Sequence, residues 1–201
     1  MREFIYYSKN AVTAGNFIKD DLMKAGRLDI ACNVIIQTLF ISGEMRGDVK
    51  IHLIFDGPPN PPIHIEIFPQ SREINISKKD VAGLIKKMLY KVPRKKGEKV
   101  EVAKGYNIEK KSLIDFIKEL KNEGKGVYLL DKKGEDIREI KLAGNEVFVF
   151  GDQEGIPKKE IRSLKNLGVK KVSVGPKNLF ASQVAVIVNN EVDRQETKGN
   201  L

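Results

Sequence analysis

The chain has 201 residues, 41% hydrophobic and 31% charged, which gives length and apolar content for a substantial core in one large domain or two small ones. No apolar run approaches the about 20 residues that span a bilayer, and a single cysteine, Cys32, excludes an internal disulfide framework and a multi-cysteine zinc site. The net charge of +9, from 36 basic and 27 acidic residues, favours a polyanionic partner. In chain order, Arg2 and Glu3 lead straight into the strand-like Phe4-Ile5-Tyr6-Tyr7 (strand near 3–7), without a secretory pattern, so the expected compartment is the cytoplasm. Between Leu28 and Ile41 the apolar residues are interrupted by Asp29, Asn33 and Gln37. That four-residue spacing marks one polar face of an amphipathic helix near 27–42.

Strands are expected near 49–55 and 63–68, a weaker one near 72–76, and a helix near 79–91. Between them, Asp56-Gly-Pro-Pro-Asn-Pro-Pro62 can continue neither strand nor helix and reads as a rigid loop. His52 and His64 alternate with apolar residues and are expected on the outside of a sheet; two scattered histidines and one cysteine make no metal or nucleophile arrangement. Basic charge concentrates between Lys86 and Lys104, opposed only by Glu98 and Glu101. Such clustering favours attraction of nucleic-acid phosphates over a merely solvated loop, and says nothing of base readout. Residues 92–106 are expected to form a flexible loop or connection.

A helix follows from about Ile108 to Lys121, with Leu113, Ile114, Phe116, Ile117 and Leu120 near helical spacing and Asn122-Glu123-Gly124 as the stop. Val127–Leu130 reads as a buried strand, followed by Asp131 and a turn containing Gly134. Val147–Phe150 is the next, running into Gly151-Asp-Gln-Glu-Gly155, and Pro157 opens a helix. Val172–Pro176 is a strand ending in a turn, and Phe180–Glu191 is the last helix. Strands alternating with helices indicate an α/β fold with a mainly parallel sheet.

Three strands of the second half thus end in potential ligand loops, Leu130-Asp131, Gly151-Asp152 and Gly175-Pro176. In open α/β sheets ligands bind at the carboxyl ends of strands, and a crevice lined mostly by backbone groups suits an adenosine-like cofactor. Neither GxGxxG nor GxxxxGK[ST] occurs, which counts against dinucleotide and ordinary ATP binding. Taken singly, Leu130 and Val184 also read as core residues, and Gly151 and Gly175 as turn residues. Asp152 and Glu154 read either as solvated turn carboxylates or as groups that orient backbone or ribose hydroxyls.

The ordered segments YLLDKKGED, VFVFGDQEG and VSVGPKNLFASQVAVIVNNEVDR resemble the carboxy-terminal half of the SPOUT RNA methyltransferases. With MREFIYYS, AGRLDI and GPPNPP at the other end, nearly the whole chain is similar to the archaeal tRNA pseudouridine-54 N1-methyltransferase family. The resemblance implies a SPOUT (α/β knot) fold with a trefoil knot in the carboxy-terminal half, S-adenosyl-L-methionine as cofactor without a metal, and a homodimer with the RNA pocket across its interface. It implies one methyltransferase unit, with RNA and dimer elements in 1–106 and the knotted cofactor half in 107–201. Leu130, Gly151, Val174, Gly175, Pro176, Leu179 and Val184 should surround the cofactor. Departures from the family pattern are Val184 for a cysteine, Asp131, Gln153 and Asn189 for histidines, and Asn33 for an arginine.

The implied reaction is methyl transfer to N1 of pseudouridine in the tRNA T-loop. Arg27 could supply positive charge to the uracil-like ring, and Asp29 could orient Arg27 or accept the proton. A plain helix-start salt bridge is the other reading of the pair. Ribosomal RNA as substrate, or an RNA-binding or assembly factor that keeps the cofactor fold without turnover, are the alternatives.

Overall fold

Arg2–Ser8 form strand β1 in the interior of an eight-stranded sheet. Its run is apolar without alternation because both faces are covered: Phe4 and Tyr6 pack into one core, Ile5 and Tyr7 into the other. The computed structural model describes residues 1–69, 77–142 and 144–199; the weaker strand expected near 72–76 lies outside the described residues.

Beyond β1, two short 3-10 turns at Gly15–Phe17 and Leu22–Ala25 lead into helix α1, Leu28–Leu39. Its buried side carries Leu28, Ala31, Cys32, Val34, Ile35 and Leu39. Asp29, Asn33 and Gln37 sit on the more exposed side, as their spacing requires. The helix stops short of residue 42, because Gly43 at φ 82° turns the chain between two-residue strands β2 (Phe40–Ile41) and β3 (Glu44–Met45).

Strands β4 (Val49–Phe55) and β5 (Ile63–Ile67) pair antiparallel across the proline-rich loop. That loop is fastened to the segment leaving β1: Thr13 Oγ1 donates to Gly57 O at 2.9 Å and accepts from Asn60 N at 2.7 Å. Helix α2 (Lys78–Leu89) follows, with Ser77 Oγ accepting from Asp80 N at 3.1 Å as its cap.

The basic stretch is no simple loop. Strands β6 (Lys99–Ala103) and β7 (Tyr106–Glu109) form an antiparallel hairpin across Gly105 at φ 82°. Val100 and Val102 are half-buried while Lys99, Glu101 and Ala103 are exposed, a period of two that the dense charge obscures in the sequence. The hairpin also delays the next helix. Ile108 and Glu109 pair with β5, and helix α3 (Leu113–Asn122) begins only after Ser112, whose Oγ accepts from Asp115 N at 3.2 Å.

The remaining elements are β8 (Gly126–Asp136), β9 (Glu146–Gly151), α4 (Lys158–Asn166), β10 (Lys170–Ser173) and α5 (Ala181–Gly199). The strand order is β10-β8-β9-β1-β4-β5-β7-β6, parallel from β10 to β4 and antiparallel beyond. Residues of α1, α2 and α5 form the core on one face; those of α3 and α4 cover the other. Strand β8 continues past Asp131, where a turn was expected. Its pairing with β10 jumps from Lys171↔Leu129 to Val172↔Glu135, so residues 130–134 bulge from the ladder. Gly134 closes the bulge against the β10 backbone: a Cβ there would lie 2.4 Å from Val172 N.

His52 and His64 are not on a solvated outer face. The strands do alternate, but α3 roofs the face opposite the first core, and both imidazoles are only 1% exposed. They pack against Phe116 with ring centroids 4.6 and 4.2 Å away. A buried chain runs through them: Glu3 Oε2 to His52 Nε2 at 3.0 Å, His52 Nδ1 to His64 Nε2 at 2.9 Å, and His64 Nδ1 to Glu109 Oε1 at 2.9 Å. Lys125 bonds the free oxygen of Glu3, and Lys111 lies 2.9 Å from that of Glu109.

A second polar cluster ties β1 to the last helix. The Arg2 side chain is 1% exposed; it reaches Asp193 and Asp48 at 2.7 Å, Asn189 O at 2.9 Å and Glu196 at 3.0 Å. Among the described residues no helix is long and apolar enough to cross a membrane, and no cluster of histidine, cysteine and carboxylate residues suits a metal.

Candidate active site

A cavity of about 380 Å³ opens at the carboxyl ends of β8, β9 and β10, within the about 300–1,000 Å³ usual for small-molecule sites. The β8 bulge contributes Leu130, Asp131 and Lys132; the end of β9 and its loop contribute Phe150 to Gly155. Val172, Val174 and Gly175 come from β10 and its exit, and Lys177 to Ala181 with Val184 close the far side. Ile30 on α1 completes the wall. Of the residues expected around a cofactor, Leu130, Gly151, Val174, Gly175, Leu179 and Val184 are brought together here; Pro176 is not among the lining residues.

The β9 loop is built around Asp152, which is only 8% exposed. Its carboxylate accepts from Ser8 Oγ at 2.8 Å and Glu154 N at 2.9 Å, while its backbone N donates to Tyr7 O at 3.1 Å. Asp152 therefore binds the loop to the exit of β1 and is no solvated turn carboxylate. Glu154 accepts from Asn10 Nδ2 at 2.9 Å. Glycine is required at 151 because a Cβ would lie 2.5 Å from Gly155 C. The β10 loop is closed by Ser173 Oγ, which accepts from Gly175 N and donates to Gly175 O, both at 3.1 Å.

Three departures from the family pattern, Asp131, Gln153 and Val184, line the cavity. Asp131 accepts from Lys171 Nζ at 2.6 Å and Lys133 N at 2.9 Å. The Lys171 bond, aided by that backbone N–H, holds its carboxyl below the usual range. Asn189 is structural: it is buried and donates to Thr38 O at 3.0 Å. Asn33 lies half-buried on α1.

Arg27 and Asp29 stand beside this cavity. Gly26 (φ 70°) packs so closely on Asn10 that a Cβ would lie 1.8 Å from its carbonyl oxygen. Arg27 then takes φ 61° and ψ 40°, the one positive φ outside glycine among the described residues. Left-handed backbone costs a side-chain-bearing residue about 1–2 kcal/mol, and such strain concentrates at functional sites. The guanidinium grips Asp29 at both ends, Nε to Oδ1 and Nη2 to Oδ2, each 3.0 Å. This pairing, working against partial burial, lowers the Asp29 pKa. Neither residue lines the cavity, but Ile30, next along α1, does, so the pair sits at its rim.

The residues present fit S-adenosylmethionine. Ile30, Leu130, Phe150 and Val174 offer apolar surface to an adenosine, carboxylates at 131 and 154 suit hydroxyl and ammonium groups, and Lys132 and Lys177 suit a carboxylate. Sequence reasoning missed Ile30, Phe150, Val172, Lys132 and Lys177. Phe150 was within reach, since it precedes Gly151 on the strand already assigned. Ile30 was not, because its place depends on α1 packing beside β1.

The model of the SAM-dependent RNA methyltransferase family matches residues 1–197. The chain is 36% identical over 198 residues to the tRNA (pseudouridine(54)-N(1))-methyltransferase of Methanococcoides burtonii, covering 96% of each chain. It is 36% identical over 197 residues to the protein of that name from Methanocella arvoryzae, covering 97% of this chain and 100% of that one. Among solved structures it is similar to Archaeoglobus fulgidus Nep1 bound to S-adenosylhomocysteine, with a TM-score of 0.65 at 15% identity over 96% of this chain and 98% of that one. At that identity the likeness is one of fold, and it agrees with the SPOUT architecture that the sequence resemblance implies. The chain that carries this three-loop cavity thus belongs to the family of S-adenosylmethionine-dependent RNA methyltransferases.

Proposed function

We propose that this chain transfers a methyl group from S-adenosylmethionine to N1 of pseudouridine in the T-loop of tRNA, at position 54. The observation that carries this reading is the strained, bidentate Arg27–Asp29 pair at the rim of the three-loop cavity. Near-full-length similarity to relatives named for this reaction supports it.

When bound, S-adenosylmethionine would supply a methyl group on a positively charged sulfur, which N1 would take in line, leaving the bonding pair on sulfur and its own proton to solvent. The protein must hold the base in line and keep competing water away. Ile30, Leu130, Phe150 and Val184 provide the dry wall. Arg27 places positive charge where negative charge builds on the ring. Asp29, engaged at both oxygens and acidified, orients Arg27 and is a poor proton acceptor.

The working form in this reading is a cytoplasmic homodimer with the RNA pocket across its interface. Phe180 and Val186, 75% and 43% exposed near the start of α5, would be covered by the second copy. Residues 1–106 supply RNA elements and further dimer contacts, and 107–201 hold the cofactor in a trefoil knot. The close passage of Gly134 along Val172, followed by the return of the chain from β10 into α5, supports the knot.

The test is incubation of tRNA containing pseudouridine with methyl-labelled cofactor, followed by nucleoside mass spectrometry. Labelled N1-methylpseudouridine from position 54 is expected. Label confined to ribosomal RNA would move the substrate, and cofactor binding without transfer to any RNA would mean a binding or assembly factor. Arg27→Ala should reduce transfer about 100-fold or more at unchanged cofactor affinity; undiminished transfer would remove Arg27 from the mechanism.

A further inference from the structure

In a regular strand, successive side chains point to opposite faces. Leu130 and Asp131 of β8 nonetheless line the same cavity, because the ladder breaks between Lys171↔Leu129 and Val172↔Glu135 and the chain bulges there. An apolar side chain and a carboxylate thus stand on neighbouring residues, about 3.8 Å apart at Cα, and face one ligand space. Lys171, the last residue of β10 paired before the break, donates to Asp131 Oδ2 at 2.6 Å, and Lys133 N donates to Oδ1 at 2.9 Å. These bonds keep the carboxyl ionised, fix both of its oxygens and match its charge with a cation. An ionised carboxylate only accepts, in roughly four directions. Two are taken here, and the side chain remains 25% exposed at the cavity wall.

Glu154, across the same cavity, differs. Its carboxylate accepts from the Asn10 amide at 2.9 Å, and among the described residues no cationic side chain pairs with it. Uncompensated negative charge suits a cation such as an α-ammonium. A carboxylate already balanced by Lys171 has less to gain from a second cation, whereas neutral hydroxyls bond strongly to it without adding charge. In S-adenosylmethionine the ribose presents two such hydroxyls side by side, as the two oxygens of a carboxylate require. The ribose is also joined directly to the purine, just as Asp131 adjoins the apolar surface of Leu130. We propose that Asp131 is the ribose-binding residue of this cavity: its carboxylate accepts hydrogen bonds from the two adjacent ribose hydroxyls of S-adenosylmethionine. This rests on the reading of the cavity as the cofactor site.

The test is calorimetric titration of the full chain with S-adenosylhomocysteine, with its 2′-deoxy and 3′-deoxy forms, and with a form lacking the α-amino group. On the wild type, removing either hydroxyl should weaken binding about tenfold, the value of one hydrogen bond to a charged group. In Asp131→Ala the parent compound and both deoxy forms should bind within about twofold of one another. The loss caused by removing the amino group should stay as it is in the wild type. Equal binding of the parent and deoxy forms by the wild type overturns the proposal without any substitution. So does hydroxyl discrimination that survives in Asp131→Ala, or amino-group discrimination that disappears there instead. If the wild type binds S-adenosylhomocysteine but methylates no RNA, the functional reading fails and the titrations still decide the role of Asp131. No binding of S-adenosylhomocysteine by the wild type would overturn both.

Discussion

At the scale of single residues, the buried histidine pair shows how proton counting settles what charge alone leaves open. Burial presses both imidazoles down, His52 to about 4, against the pull of hydrogen bonds to Glu3 and Glu109. On that ground alone both rings would be neutral at pH 7. Yet three contacts join Glu3, His52, His64 and Glu109, and two neutral rings own only two N–H groups. Both carboxylates are ionised: burial opposes this, but the bonds to the histidines and lysines hold each at about 2. The third contact therefore calls for a third proton, shared by the pair. Nitrogen NMR at pH 7 should find three ring N–H groups on the two imidazoles; finding two would refute the count. The carboxylates have a further consequence. Their folded pKa values lie below the unfolded value of about 4.3, so they stabilise the fold above that pH. That contribution is lost as pH falls from about 4.5 through about 2, and acid unfolding followed by circular dichroism should be blunted in Glu3→Gln.

Among elements, the β6–β7 hairpin combines two roles that the sequence separates poorly. It closes the sheet edge farthest from the three-loop cavity, five strand steps from β9, or about 24 Å at the usual strand spacing. Lysines on an exposed edge discourage strand addition by other chains, and the cluster entering the hairpin also suits RNA phosphates. Replacing exposed Lys91, Arg94 and Lys95 by glutamine should weaken RNA binding equally for all sequences. It should also lower the slope of log affinity against log salt by about 2, with kcat at saturating RNA unaffected; an unchanged slope would place the RNA elsewhere. The hairpin was expected to be a loop because eight basic residues in one stretch swamp the Val100/Val102 alternation. The parallel half was far easier to read. Val147–Phe150 is apolar on both faces and runs into a glycine-flanked turn, so pattern alone showed its strand and the loop that leaves it. What pattern lacks is the third dimension: the roof of α3 over His52, the β8 bulge beyond Asp131, and the packing that brings Ile30 to the cavity.

For the whole molecule, the two poles are the cavity at the carboxyl ends of the parallel strands and the Arg2 cluster at the opposite end of β1. Arg2 is closed to solvent while Asp193, Asp48 and Glu196 are about 38–50% exposed. Its loss would leave those acids hydrated, and costs less than breaking a fully buried pair. Arg2→Ala should lower stability by about 2 kcal/mol in urea unfolding while folded protein keeps its cofactor affinity. A loss of affinity in folded protein would mean that the cluster also shapes the site. The sequence offered Arg2 only as a charge ahead of a strand, because all of its partners but Asp48 lie more than 180 residues away in α5.

That separation matters during synthesis. Strand β1 leaves the ribosome first, yet it pairs with β9 on one side as well as β4 on the other, and Arg2 finds Asn189, Asp193 and Glu196 only when α5 appears. Until Glu146–Gly151 emerges, a growing chain that has already paired β1 with β4 carries a bare apolar edge in what will become the sheet interior. Such an edge invites pairing with neighbouring chains. Nascent chains stalled before β9 should therefore be the ones that chaperones hold, and release should follow once β9 has paired with β1.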